Sequence, residues 1–349
     1  AGPAAAVAAG LVPFALGTET QGSLVSPAAR NGVTALRPTP GLVPRDGVML
    51  LADTLDKVGP ICRTALDCGA IMDALRGGDN GVRSDDPAFR PAAVRSADLA
   101  LVDLKALTVA VLPGARVAVQ PVLDALQARG VKIASRSLTH QVPAADAATT
   151  ILLSEGAASF DHWVRSGAAT RALRQDFWPP LFRLARLVPA PEYVAAQRAR
   201  ALLAVEVAAF FDGDAGQGRV DAVIGHGADL LAVGEKEEIG WRAAVGRGRG
   251  DPTPPSPFPL SSSANLVGLA SIAAPLALPL ALNASTNSPR RAPTSVGFFA
   301  PPHADAVALA LAAAWQSANS QCDVQTHEPV EMEGIASLPL SPRRIMEPL

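Results

Sequence analysis

The stretch Gly17-Thr-Glu-Thr-Gln-Gly-Ser23-Leu-Val-Ser-Pro27 decides how the rest of this chain is read. It joins the apolar run Leu11 to Leu16 to a segment rich in Pro, Gly and Asn, and it carries a serine directly behind a glycine. Gly17 and Gly22 punctuate it and Pro27 cannot continue a strand ladder, so a loop at the end of a strand is expected. A serine held exposed there, with neighbouring backbone N–H groups free to face a ligand, supplies a nucleophile and an anion-binding nest together. Taken alone, Gly-Ser in a loop is also ordinary turn chemistry.

The neighbouring sequence shifts the weight towards chemistry. Gly2-Pro-Ala-Ala-Ala-Val-Ala-Ala-Gly10 precedes the stretch, Gly32-Val-Thr-Ala-Leu-Arg-Pro-Thr-Pro-Gly41 follows it, and Asp56-Lys-Val-Gly-Pro-Ile-Cys-Arg63 with Asp67 comes next. In order and spacing these runs resemble the amidase signature family. The likeness is tight over residues 1 to about 76 and traceable to about residue 318. It implies hydrolysis of a carboxylic amide, on C–N bonds other than peptide bonds, through a serine–cis-serine–lysine triad and an acyl-enzyme. Ser23 falls on the family's nucleophile. Thr20, Gln21 and Gly22, with the amide of Ser23, fall on the loop whose N–H groups form the oxyanion hole. That division of labour suits the chemistry: a serine hydroxyl needs a base at neutral pH, and the oxyanion needs donors already aimed at it.

Three departures accompany the resemblance. The family's bridging serine aligns just before residue 1 and its lysine further upstream, so this member is expected to be N-terminally incomplete, holding the nucleophile without its base. Val25 stands where many members carry arginine, and Glu19 where aspartate is commoner. The four lysines, Lys57, Lys105, Lys132 and Lys236, all follow Ser23 and match nothing catalytic. Lys57 is expected to be structural or on the surface. His226, between Gly225 and Gly227, is read as a loop histidine rather than a substitute base.

Composition narrows the function class. The chain has 349 residues, 49% hydrophobic and 18% charged, with a net charge of −2. That suffices for a large core. The near-neutral balance gives no electrostatic footprint for nucleic acid or an anionic membrane, and no run of about 18 apolar residues argues for a membrane span. Ala4 to Ala9 lacks the basic flank of a signal peptide. Cys62, Cys68 and Cys322 lack zinc-type or Cys-x-x-Cys spacing and are read as reduced thiols suited to the cytosol. Asn283-Ala-Ser285 is read as a chance tripeptide and the lone Gly114 as no phosphate loop. No cofactor or metal is implied. The partner expected is a small-molecule amide, with oligomeric state open, a homodimer included.

Hydrophobic patterning supplies the elements. Residues 3–9 are expected to form a short buried helix, and 12–16 and 33–36 short buried strands. Residues 41–59 are expected to be loop. Residues 64–75 predict an amphipathic helix burying Leu66, Ala70, Ile71 and Leu75. A β-α-β unit is expected over 107–112, 118–129 and 131–138. Helices follow at 144–163 and 192–211, the latter with Val194, Leu202, Val205 and Phe210 at helical spacing, and proline-broken pieces lie between them. A strand at 220–224, a helix passing into a strand over 265–279, a strand at 294–299 and a helix at 304–318 complete the series. Residues 247–259 are read as an exposed excursion and 283–291 as an atypical substrate-proximal loop. The expected fold is α/β, an α/β/α sandwich around a large mixed, mostly parallel sheet with an unpaired strand edge, lacking the family's N-terminal part. One domain is expected over 1–318 and a disordered tail over 319–349. Two functional readings stand beside amide hydrolysis. One is a catalytically incompetent fragment or pseudo-enzyme of this fold. The other is the A subunit of a tRNA-dependent amidotransferase, although the Thr-Glu-Thr-Gln-Gly-Ser-Leu-Val-Ser variant looks more like stand-alone amidases.

Overall fold

The computed structural model describes residues 1–76, 84–90, 99, 101–112, 115–136, 138, 142–168, 171, 178–213, 217–226, 260–277 and 294–319. The readings at 247–259, 283–291 and beyond 319, and those on Gly114, Lys236 and Cys322, lie outside these residues.

The chain opens with the alanine-rich helix α1 (Gly2–Ala8), closed by Gly10 at φ 71°. Strand β1 (Phe14–Glu19) leads through the serine loop into α2 (Val25–Asn31), which Gly32 ends in the left-handed conformation. Strand β2 (Thr34–Arg37), a long loop, strand β3 (Lys57–Cys62) and helix α3 (Ala65–Leu75) follow. The expected β-α-β unit is present as β4 (Thr108–Val111), α4 (Gln120–Gln127) and β5 (Lys132–Ser135). Helices α5 (Ala144–Ser159), α6 (Asp161–Arg165), α7 (Trp178–Ala185) and α8 (Ala190–Asp212) precede β6 (Ala222–His226). The described chain ends with α9 (Leu260–Val267), β7 (Ala270–Ala277), β8 (Thr294–Ala300) and α10 (Asp305–Ala318).

These strands form one mixed sheet in the order β1-β3-β2-β7-β8-β6-β4-β5. Helices cover both faces. Side chains of α1, α2, α5, α8 and α9, among them Val7, Val25, Ala28, Ile151, Leu203 and Leu260, pack into one core cluster. Met72 of α3, Leu126 of α4 and Leu311 and Trp315 of α10 belong to a second. The α/β class and the mixed sheet are therefore as expected. The balance of directions is not: only β4–β5 and β4–β6 pair in parallel, while the other five pairings are antiparallel. The reason is that β3 enters between β1 and β2, which the α2 crossover leaves running the same way, and lies antiparallel to both, while β7 and β8 likewise pair antiparallel.

Four local readings change. Strand β1 is an edge strand rather than a buried one, with Phe14 and Leu16 half exposed and pairing only to β3. Strand β3 runs through what was expected to be loop, because Gly59-Pro60 reads as a breaker. Its ladder to β2 reaches only Ile61 and Cys62, leaving Pro60 outside that pairing. Gly59 is required by packing: a Cβ there would lie 2.2 Å from the Leu36 carbonyl oxygen. The buried stripe of α3 is Ala65, Cys68, Gly69 and Met72, with Leu66 exposed. In α8 it is Ala196, Leu203, Val207 and Phe211, while Val194, Leu202 and Val205 face outward. Both helices carry apolar residues around much of their circumference, so the choice of face falls to their neighbours. Prolines 179 and 180 sit in the first turn of α7, where a missing N–H is harmless.

The face of α8 is testable by paired truncations. Leu203→Ala is expected to lower the unfolding free energy by about 2–5 kcal/mol, the range for a buried leucine. Leu202→Ala is expected to change it by less than about 0.5 kcal/mol. Urea denaturation of both variants measures the difference.

Candidate active site

Glu19, the last residue of β1, is fully buried. Its Oε2 accepts hydrogen bonds from the backbone N–H groups of Leu24 (2.8 Å) and Val25 (3.2 Å). Its Oε1 accepts from Arg37 Nη1 at 3.1 Å and from Asn265 Nδ2 at 3.2 Å. One carboxylate thus ties the end of β1 to the start of α2, to the end of β2 and to α9. The loop between Glu19 and Leu24 is closed over its own anchor. Arg37 also donates to Ser271 Oγ on β7.

Gly22 adopts φ 103°, which a side chain would strain, and its carbonyl accepts from Ser26 N–H at 2.9 Å. Thr20 and Gln21 are half-buried, Gly22 is buried and Ser23 is exposed. The Thr20 carbonyl accepts from Asn265 Nδ2 at 2.9 Å. Among the described residues, the N–H groups of Gln21, Gly22 and Ser23 and the Ser23 hydroxyl make no hydrogen bond. The structure therefore brings the four residues singled out from sequence together in one tight turn, with the serine outward.

Of the two places expected for Lys57, structural or on the surface, the structure shows the first. It lies directly opposite Glu19 in the β1–β3 register and is buried, not on the surface. Its Nζ donates to Asn265 Oδ1. Burial and the Arg37 charge push its pKa down, against the pull of Glu19, to about 7. Burial alone would raise the pKa of Glu19; the charges of Arg37 and Lys57 and the Leu24 and Val25 amides outweigh it and hold the carboxyl below its ordinary value. No sequence signal marks Lys57 as part of the site, because the pairing that places it joins residues 38 positions apart.

The loop after β2 is held by Arg45, whose Nε and Nη2 reach the Asp86 carboxylate at 2.9 and 3.0 Å. Thr54 joins it to α5 and α8 through Glu155 and Arg200. His226 ends β6, five strands from β1 in the sheet order. At roughly 4.8 Å per strand that is about 24 Å from the strand that leads into the serine loop, so His226 belongs to another part of the sheet. Cys62 and Cys68 are buried free thiols. A cavity of about 20 Å³, lined by Leu36, Leu42, Met72 and Leu309 among others, lies within the second core cluster and holds no more than a water. Among the described residues no helix is long and apolar enough to cross a membrane.

Comparison with known proteins gives concordant results. The Amidase family model matches residues 1–309. The A subunit of glutamyl-tRNA(Gln) amidotransferase from Chromohalobacter salexigens is 40% identical over 147 residues, 40% of this chain and 30% of that protein. Among solved structures, the native peptide amidase from Stenotrophomonas maltophilia superposes with a TM-score of 0.65 at 23% identity, covering 91% of this chain and 65% of that one. The A subunit of glutamyl-tRNA(Gln) amidotransferase from Thermotoga maritima gives 0.64 at 22% identity, covering 90% and 64%. At these identities the two structures share the fold. The alignments thus span under a third of the curated relative and just under two thirds of the solved ones.

The Glu19 anchor carries its own prediction. Glu19→Gln leaves Arg37 and Lys57 buried without their counter-charge and is expected to lower stability by about 3–5 kcal/mol at pH 7. Because the folded pKa of Glu19 lies below its ordinary value of 4.5, its stabilisation is fully present above that value and is lost as pH falls through the folded pKa. The gap between wild type and Glu19→Gln should therefore hold from neutral pH to about 5 and close on further acidification. Urea titrations at a series of pH values measure it.

Proposed function

The chain belongs to the amidase family, and we propose on that basis that it hydrolyses the C–N bond of a carboxylic amide, with Ser23 as the nucleophile. The observation that supports this best is the turn itself. An exposed serine hydroxyl stands beside three backbone N–H groups that have no internal acceptor, on a loop fixed by a buried carboxylate. Ser23 Oγ attacks the carbonyl carbon, and the electron pair displaced onto oxygen is stabilised by the amides of the Thr20–Ser23 loop. The amine leaves as the C–N bond breaks, taking the proton given up by the serine. Water then cleaves the acyl ester, releasing the carboxylate and restoring the hydroxyl.

The resemblance assigns the proton transfer to a bridging serine and a lysine that align upstream of residue 1. Among the described residues no base is hydrogen-bonded to Ser23 Oγ. A protein that keeps this fold and loop without turnover is the second reading, which the reactivity of Ser23 decides. The names of the curated relatives favour the A subunit of an amidotransferase, which would act within a larger assembly. A small-molecule amide other than a peptide bond remains the substrate proposed, and a homodimer the assembly to test.

A fluorophosphonate probe tests the nucleophile assignment. Slow modification confined to Ser23 is expected, on the order of 10²–10⁴-fold slower than for a serine with a positioned base, and none in Ser23→Ala. Equal modification of Ser23→Ala would overturn the assignment. A folded chain that never reacts would favour the reading without turnover.

A further inference from the structure

Lys57, Asn265 and Thr20 form a relay that neither the resemblance nor the family match assigns. Lys57 Nζ donates to Asn265 Oδ1, and Asn265 Nδ2 donates to the Thr20 carbonyl at 2.9 Å and to Glu19 Oε1 at 3.2 Å. Lys57 and Asn265 are buried, and Glu19 is fully so. The chemistry of the groups fixes the direction of the relay. A lysine amine in this setting presents donors, so Asn265 must turn its oxygen towards Lys57 and its NH₂ towards Thr20 and Glu19. Flipping the amide would set its NH₂ against the Lys57 amine and its oxygen against two other oxygens. With an apolar residue at position 57, the Asn265 oxygen would be left buried without a donor, and the grip on Thr20 would weaken.

We propose that Lys57 is a positioning residue for the nucleophile loop, acting through Asn265 to fix the Thr20 carbonyl and Glu19, and with them the aim of the Gln21–Ser23 amides. The proposal deepens the reading of Ser23 as a nucleophile and rests on it for its catalytic meaning. Lys57 is not the base: its amine is turned to Asn265, and the Ser23 hydroxyl shares no hydrogen bond with it.

The relay is sensitive to one proton. The charged groups that face Lys57 are Glu19 on β1, Arg37 at the end of β2, the adjoining Asp56 and Arg200 on α8. Burial, Arg37 and Arg200 favour the neutral amine, Glu19 and Asp56 the charged one, and the amine titrates at about 7. Below that value the bond to Asn265 is charge-assisted; above it the amine still donates, but more weakly. Overall stability moves in the opposite sense. Between about pH 7 and 10.5 the unfolded chain holds a proton on Lys57 that the folded chain has released, so stability rises with pH across that window.

Amide hydrogen exchange of the full chain, read at Leu24, Val25 and Ser26 and compared with β7 and β8, tests the relay without substrate or turnover. In wild type, protection at these three amides is expected to fall about fivefold as pH rises from 6 to 8.5, while that of β7 and β8 rises with the overall stability. Lys57→Met is expected to lose about tenfold in protection at the loop at pH 6 and to abolish the pH step. Asn265→Leu, which breaks the relay with Lys57 present, should reproduce the loss, and the double variant should add little to either. Loop protection that rises with pH alongside β7 and β8 would overturn the proposal. So would a Lys57→Met or Asn265→Leu chain whose loop exchanges as in wild type. Exchange in this pattern from a chain that fails to react with fluorophosphonate would leave Lys57 as the holder of the loop and overturn only the nucleophile reading.

Discussion

The buried carboxylate of Glu19 is the constraint on which the serine loop depends. A carboxylate withdrawn from water is stable only when its lone pairs are met by donors, and here they come from the loop itself, from β2 and from α9. Meeting that demand forces three structural decisions at once. The chain must double back so that Leu24 and Val25 present their N–H groups. Arg37 must point inward at the end of its strand. Asn265 must stand at the near side of α9. Once these are in place, the residues between Glu19 and Leu24 have little freedom, and Ser23 is left as the outward point of a short arch.

The charge count around that anchor gives Lys57 its character. Glu19 and Arg37 already form a pair, at 3.1 Å, so a second cation beside them is partly surplus. Burial then weighs against the proton, and the amine releases it near neutrality. The group is nonetheless held in place by Asn265, because a neutral amine still donates. A buried lysine that would be costly as a permanent charge is tolerable as a donor whose charge is optional.

The sheet divides the labour. Its antiparallel part, β1, β3, β2 and β7, carries the anchor, the arginine, the lysine and the serine that Arg37 reaches. In the parallel part, β4 and β5 are joined by a β-α-β crossover whose helix packs in the second core cluster, and β6 adds to β4 after the helices α5 to α8. Strand β1 lies at the edge, with Leu11, Phe14 and Leu16 exposed along it, so the site is built beside the border of the sheet and not at its centre. A glycine at position 59 is what lets β3 pass between β1 and β2, since any side chain there would meet the Leu36 carbonyl.

By itself the sequence determined the features whose causes are local. Gly22 demands a conformation that only glycine enters freely, Gly10 and Gly32 stop their helices, and the runs that became β7, β8 and α10 announce themselves by largely apolar character. The motif spacing from Gly2 to Arg63 carried the family. Tertiary structure decided the rest. Strand β3 was hidden by Gly59-Pro60, which break a strand in isolation but are accommodated once β1 supplies a full ladder on one side. The outward turn of Leu66, Val194, Leu202 and Val205 could not be foreseen, because helices that are apolar around much of their circumference bury whichever face their neighbours offer. The sequence leaves Lys57 either structural or on the surface, and it lies beside the loop only because strand pairing set it opposite Glu19 and helix α9 brought Asn265 to both. Local conformation is written in a few adjacent residues, whereas burial, charge state and partnership are properties of segments that meet only when the chain has folded.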